Sequence, residues 1–204
     1  MQVPLPVEAM LPSKKLSICD FLSTQTPGIQ AASIQHSPMD WFSRNSPTTD
    51  LERVLKNSIP PTRFVADLKK HVEHALSEGM QSVLDKRTGD LLPLTSIALW
   101  DNLIVIAEGR RWWRQSEAWL DKIMVRKAYV QLQPSEQESI QEAQNYLSCL
   151  PWNDPVSALG ASTRETTTLK LSRILNDAML TDDLIDMMVQ HIAFRLRKIG
   201  RAHV

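Results

Sequence analysis

From Leu94 onward the chain carries Ile97, Leu99, Trp100, Leu103, Ile104, Ile106 and Ala107, followed by Trp112, Trp113, Trp119, Leu120 and Ile123. At helical spacing the first half of this run is apolar on nearly every side, so it has no face to offer to water and belongs in the middle of a bundle. Gly109 marks the place where the helix is expected to break. Upstream, Pro60-Pro61 precedes Thr62 as N-cap. Phe64, Val65, Leu68, Val72, Ala75, Leu76, Met80, Val83 and Leu84 then recur at spacings of three and four, which predicts an amphipathic helix of about seven turns ending at Lys86-Arg87-Thr88-Gly89. Pro134-Ser135-Glu136 opens a third helix through Ile140, Ala143, Tyr146, Leu147 and Leu150, and Pro151 closes it. Alternation of apolar and polar residues never persists, so no strand is expected. The predicted fold is all-α, a helical bundle over residues 59–150.

The flanks read differently. Eight of the twelve prolines fall within the first 61 residues among Ser, Thr and Gln, so residues 1–48 are expected to form a disordered Pro/Ser/Thr-rich N-terminal tail. Within it Met39-Asp40-Trp41-Phe42 is an apolar island, read as a local cluster with no partner, or else as a short anchor on the folded part or on a partner. Residues 151–168, with Asn153-Asp154-Pro155 and Gly160, are expected to be a linker. Residues 169–204 follow as a short helix over Leu169–Leu175 and a loosely attached C-terminal helix, Asp182–Ile199, capped by Thr181 and bearing Leu184, Ile185, Met188, Ile192 and Leu196 on one side.

Charge narrows the function. Lys and Arg number 23 and Asp and Glu number 23 in 204 residues, so the chain has no overall cationic field, and neither nucleic acid nor membrane is an expected partner. No stretch is long and apolar enough to span a bilayer, and the N-terminus lacks the pattern of a secretory signal. The two cysteines, Cys19 and Cys149, lie far apart in sequence without metal-ligand spacing. That argues against a disulfide scaffold and a zinc site and favours a reducing compartment, nucleus or cytoplasm. No metal or cofactor is expected.

Three constellations invite chemistry. Arg110-Arg111-Trp112-Trp113-Arg114 with Trp119 combines cations and stacking surfaces, a mixture that grips single-stranded nucleic acid. Positions 112, 116, 119 and 123 share one helix face, however, so Trp112 and Trp119 are expected in the core, with the arginines snorkelling at its edge. His71 and His74 lie three apart, but Glu73 and Glu78 do not complete a ligand set on the same face, which leaves a solvated surface. Cys149 with His71, His74, His191 or His203 supplies a thiol and an imidazole but nothing that fixes their contact, so no residue is assigned a catalytic role. Asp182, Asp183 and Asp186 suit the start of a helix, and a carboxylate there can also receive an arginine from a partner.

Met179-Leu180-Thr181-Asp182-Asp183-Leu184-Ile185-Asp186 resembles the Trp-Leu-(Ser/Asn)-Asp-x-x-Ile-(Asp/Asn) motif that opens the catalytic domain of the ubiquitin-like-protein-specific cysteine proteases, the SUMO-deconjugating, adenain-like clan. Leu92-Pro93-Leu94 with Trp100, Arg111-Trp112-Trp113 to Trp119-Leu120, and Leu147–Leu150 with Pro151-Trp152-Asn153 resemble the helical region ahead of such domains in fungal, transposon-associated proteins. The resemblance implies a cysteine-type peptidase that hydrolyses after a Gly-Gly tail, with a ubiquitin-like modifier or another protein as partner. It gives Asp182 contact with the modifier, while Met179 stands where the family has tryptophan. The family's His, Asp, Gln and Cys follow this motif, yet the eighteen residues after Asp186 contain two histidines and no cysteine. The expectation is therefore an N-terminal fragment, residues 169–204 being the start of a truncated protease domain, inactive by itself. The alternative is a non-enzymatic helical protein-interaction module.

Overall fold

Ser82–Pro93, expected to finish a helix and turn, folds instead as a β-hairpin. The computed structural model describes residues 8–9, 11–30, 34–124, 130–156 and 166–173. The chain divides into two compact units, Met1–Ser13 with Gln25–Glu108, and Lys14–Thr24 with Gly109–Val204.

In the first unit a 3-10 turn, Pro38–Trp41, leads into β1 (Phe42–Ser43) and a short α2 (Glu52–Lys56), then α3 (Thr62–Ser77), β2 (Ser82–Asp85) and β3 (Asp90–Pro93). Ahead of them in the chain, helix α1 (Ile18–Ser23) is part of the second unit. The strands form an antiparallel sheet in the order β1-β2-β3, with Phe42 opposite Val83 and Val83 opposite Leu92. The fold is thus mixed, with a small sheet among the helices, and the all-α expectation is overturned. The physical cause is Gly79. Its φ of 77° places it in the left-handed region, and the Gly79 and Met80 amides donate to the carbonyls of Leu76 and Ala75 at 3.1 and 3.0 Å. That double closure ends α3 two turns before the apolar spacing runs out. Met80, Val83 and Leu84 continue the helical period only by coincidence.

The hairpin loop Lys86–Gly89 is closed by the Thr88 and Gly89 amides donating to the Asp85 carbonyl at 3.1 and 2.7 Å, with Gly89 at φ 78°. Arg87 turns back along it. Its guanidinium donates to both Asp85 carboxylate oxygens at 2.8 and 2.6 Å, to the Ser58 carbonyl at 2.8 Å and to Gln30 Oε1 at 3.2 Å. With Asp85 1 % exposed, the charge is neutralised in a two-pronged pair inside the fold.

The apolar face of α3, Phe64, Val65, Leu68, Val72 and Ala75, is buried as its spacing requires. Trp41 is fully buried and meets Phe64 edge-on at 4.8 Å between ring centres and Trp100 at 6.3 Å, with the Arg87 guanidinium 5.9 Å from its own ring centre. The island in the expected disordered tail is therefore an anchor. Large rings bury enough apolar area to offset the ordering of a polar segment.

The helix α4 (Ser96–Met124) begins as the sequence demands, with Ile97, Leu99, Trp100, Leu103, Ile104 and Ile106 all buried. It passes through Gly109 without a break. In the second unit α1 carries a Ser17 cap whose Oγ accepts the Asp20 amide at 3.0 Å, and it buries Ile18 and Phe21. So the described part of residues 1–48 is not disordered in this unit either. Next come α5 (Pro134–Cys149), β4 (Pro155–Val156), β5 (Thr166–Thr167) and α6 (Thr168–Leu171). Proline at the first turn and the Glu136 carboxylate accepting the Gln133 amide at 2.9 Å start α5 where its sequence predicts. The loosely attached helix expected over Asp182–Ile199 lies outside the described residues.

Candidate functional site

The basic and aromatic turn of α4 is taken apart by the fold, each side chain receiving a separate task. Trp113 is 2 % exposed, and its indole N–H donates to the Trp152 carbonyl at 3.1 Å. Trp152 stacks on Phe21 with ring centres 4.0 Å apart and planes 2° from parallel. Gly109 packs against the same indole. A Cβ added there would meet Trp152 Cζ3 at 2.8 Å, so only glycine lets the ring pack against the helix.

Arg110 is a structural cation. It donates to the carbonyls of Leu22 (2.9 Å) and Thr24 and to Thr24 Oγ1, closing the end of α1, where the last helical carbonyls lack partners. Burial, and then the neighbouring Arg114, push its pKa below the ordinary arginine value.

Trp112 is half-buried. The Arg111 guanidinium lies over its ring at 5.2 Å and that of Arg173 at 5.5 Å. Arg173 is brought there by the backbone just after α6, which Ser116 holds by donating from Oγ to the Ser172 carbonyl at 2.9 Å. The expected buried face of 112, 116, 119 and 123 is therefore rotated. Gly109, Trp113 and Ser116 are buried, whereas Trp112, Trp119 and Leu120 are half-exposed. Among the described residues no carboxylate pairs with Arg111 or Arg173. A guanidinium lying over an indole keeps its N–H edges free for planar, two-pronged acceptors, so the patch suits a carboxylate.

Nearby on the same helix, the carboxyl of Glu117 is pushed up from its ordinary value by partial desolvation and by Asp121, with Arg114 opposing. His71 and His74 are on exposed positions of α3, and among the described residues no group of three or more His, Cys, Asp or Glu side chains could hold a metal. Cys19 and Cys149 are both exposed. Asp182 and Met179, the substrate-binding candidates of the resemblance, lie outside the described residues, as do His191 and His203. Sequence reasoning missed Arg173. No spacing rule links it to Trp112, and only the Ser116–Ser172 contact across the fold does.

No helix among the described residues is long and apolar enough to cross a membrane. The chain matches no protein-family model, no curated protein and no solved structure.

Proposed function

We propose that this chain is the helical leader and opening segment of a ubiquitin-like-protein-processing cysteine protease, that it works by binding protein, and that it has no peptidase activity of its own. The observation that carries the binding role is the Trp112 patch, a half-exposed indole with two guanidiniums over it and no carboxylate answering them among the described residues. Such a surface receives a partner's Asp or Glu side chains, with the indole adding apolar contact once water is excluded. What supports the family reading is that residues carrying the resemblance and distant in sequence meet in the fold. Trp113 and Trp152 interlock, while Leu92 and Trp100 are buried. The partner proposed is a ubiquitin-like modifier.

The test is calorimetric titration of ubiquitin-like modifiers into the full chain and into an Arg111→Ala/Arg173→Ala double variant. Saturable binding that weakens with added salt, and falls tenfold or more in the double variant at unchanged melting temperature, is the expected result. Failure of every modifier to bind, or equal binding by the double variant, contradicts the patch as the contact surface.

A further inference from the structure

We propose that Cys19 and Cys149 form a reversible intramolecular disulfide that locks the Lys14–Thr24 segment to the end of α5. The inference is independent of the function proposed above. It rests on register. Ser17 and Pro151 are partners in an antiparallel β-bridge, flanked by the Trp152 amide donating to the Leu16 carbonyl and the Ile18 amide donating to the Leu150 carbonyl, both at 2.9 Å. One residue beyond Ile18 stands Cys19, and one residue before Leu150 stands Cys149. The sole two cysteines of the sequence are thus the next positions outward on the two chains of this clasp.

Sequence separation hid the pairing. The clasp reverses it by laying the residues that lead into α1 antiparallel to those that follow α5. Both thiols are exposed, and among the described residues neither makes a hydrogen bond, so both are open to a small oxidant. An S–S bond needs Cα atoms roughly 4.4 to 6.8 Å apart; Cys19 is the second residue of α1 and Cys149 the last of α5, and the chain neighbour of each, Ile18 and Leu150, is hydrogen-bonded across the clasp. With the backbones pinned one residue away on each side, closure asks only for local adjustment where α1 begins and α5 ends. Asp20, the nearest carboxylate in sequence, is engaged by Ser17 at 2.7 Å.

The oxidant is a low-molecular-weight disulfide. One cysteine thiolate attacks it, forming a mixed disulfide and releasing one thiol. The second cysteine thiolate then attacks the protein-bound sulfur, forming the Cys19–Cys149 bond and releasing the second thiol. Two protein thiols are oxidised by two electrons, the small disulfide is reduced by two, and the protons pass to the released thiols. The bond closes a loop spanning most of the chain and removes freedom from any state in which the clasp opens.

The experiment incubates the full chain with oxidised glutathione under native conditions, followed by non-reducing peptide mapping and thermal unfolding. The inference expects a monomer with a linked Cys19–Cys149 peptide, no retained glutathione, and a raised melting temperature that returns to the starting value with a thiol reductant. Cys19→Ser and Cys149→Ser, both at exposed positions, should instead keep glutathione on the remaining cysteine and show no rise. Stable glutathione adducts on both cysteines of the unaltered chain, or disulfides only between chains, would overturn it.

Discussion

The Trp113 indole donates its N–H to the carbonyl of Trp152, a hydrogen bond that spans 39 positions of sequence and joins the middle of α4 to the residue after Pro151. Around it gather Phe21 from the N-terminal segment and Gly109 from the helix itself, so the contact joins three stretches of chain that the sequence alone assigns to a tail, a bundle and a linker.

Gly109→Ala separates helix propensity from packing. In an exposed helix interior the change stabilises by about 1 kcal/mol. Here the new methyl meets a rigid indole carbon at 2.8 Å, and overpacking of that kind costs about 1 to 3 kcal/mol. Urea unfolding should show net destabilisation. A more stable variant would mean that Trp152 does not press on the helix.

Replacing the adjacent tryptophans should give unequal losses. Trp113→Ala removes a buried ring and its hydrogen bond and should cost about 3 to 5 kcal/mol. Trp112→Ala, from a half-exposed position, should cost clearly less. Equal losses in denaturant titration would return Trp112 to the core.

Much of α4 was legible because Ile97, Leu99, Trp100, Leu103 and Ile104 leave no polar face, and α5 because Pro134 and Pro151 bracket its period. The hairpin was hidden by Met80, Val83 and Leu84, whose spacing imitates two more turns of helix, although Gly79 and Thr88-Gly89 are turn residues. The Ser17-x-x-Asp20 capping pattern likewise stood in the sequence of the supposed tail. Nothing local, by contrast, tells Trp112 from Trp113. Which ring is buried depends on where Trp152 and Phe21 arrive, and that is a tertiary fact. The Trp112 patch was illegible for the same reason, since Arg173 reaches it only through the fold.

Glu117 gives a prediction that depends on pH. Burial and Asp121 raise its pKa in the folded state, so the folded chain holds this proton more tightly than the unfolded one. The contribution to stability is therefore complete below the ordinary carboxylate range and is lost as pH rises through the raised folded value. Glu117→Gln should raise the melting temperature at pH 7, and the gain should vanish below about pH 4. A gain of constant size across that range would point to packing rather than charge.

The central claim is a leader that binds protein and does not cleave it. Thiol catalysis needs a thiolate, a base in contact with it, a group orienting that base and donors for the oxyanion, and losing one such donor alone costs about a hundredfold or more. The most direct measurement incubates the full chain with fluorogenic ubiquitin-like substrates and, in parallel, with a probe that traps a reactive active-site cysteine. The account predicts no turnover above buffer and, with the electrophile carried on the C-terminal tail of the ubiquitin-like modifier, no labelling of Cys19 or Cys149 beyond that given by the same electrophile without the modifier. Turnover that is abolished by Cys149→Ser would contradict it, because it would put a working nucleophile at the end of α5, ahead of the stretch that resembles the protease family's opening motif.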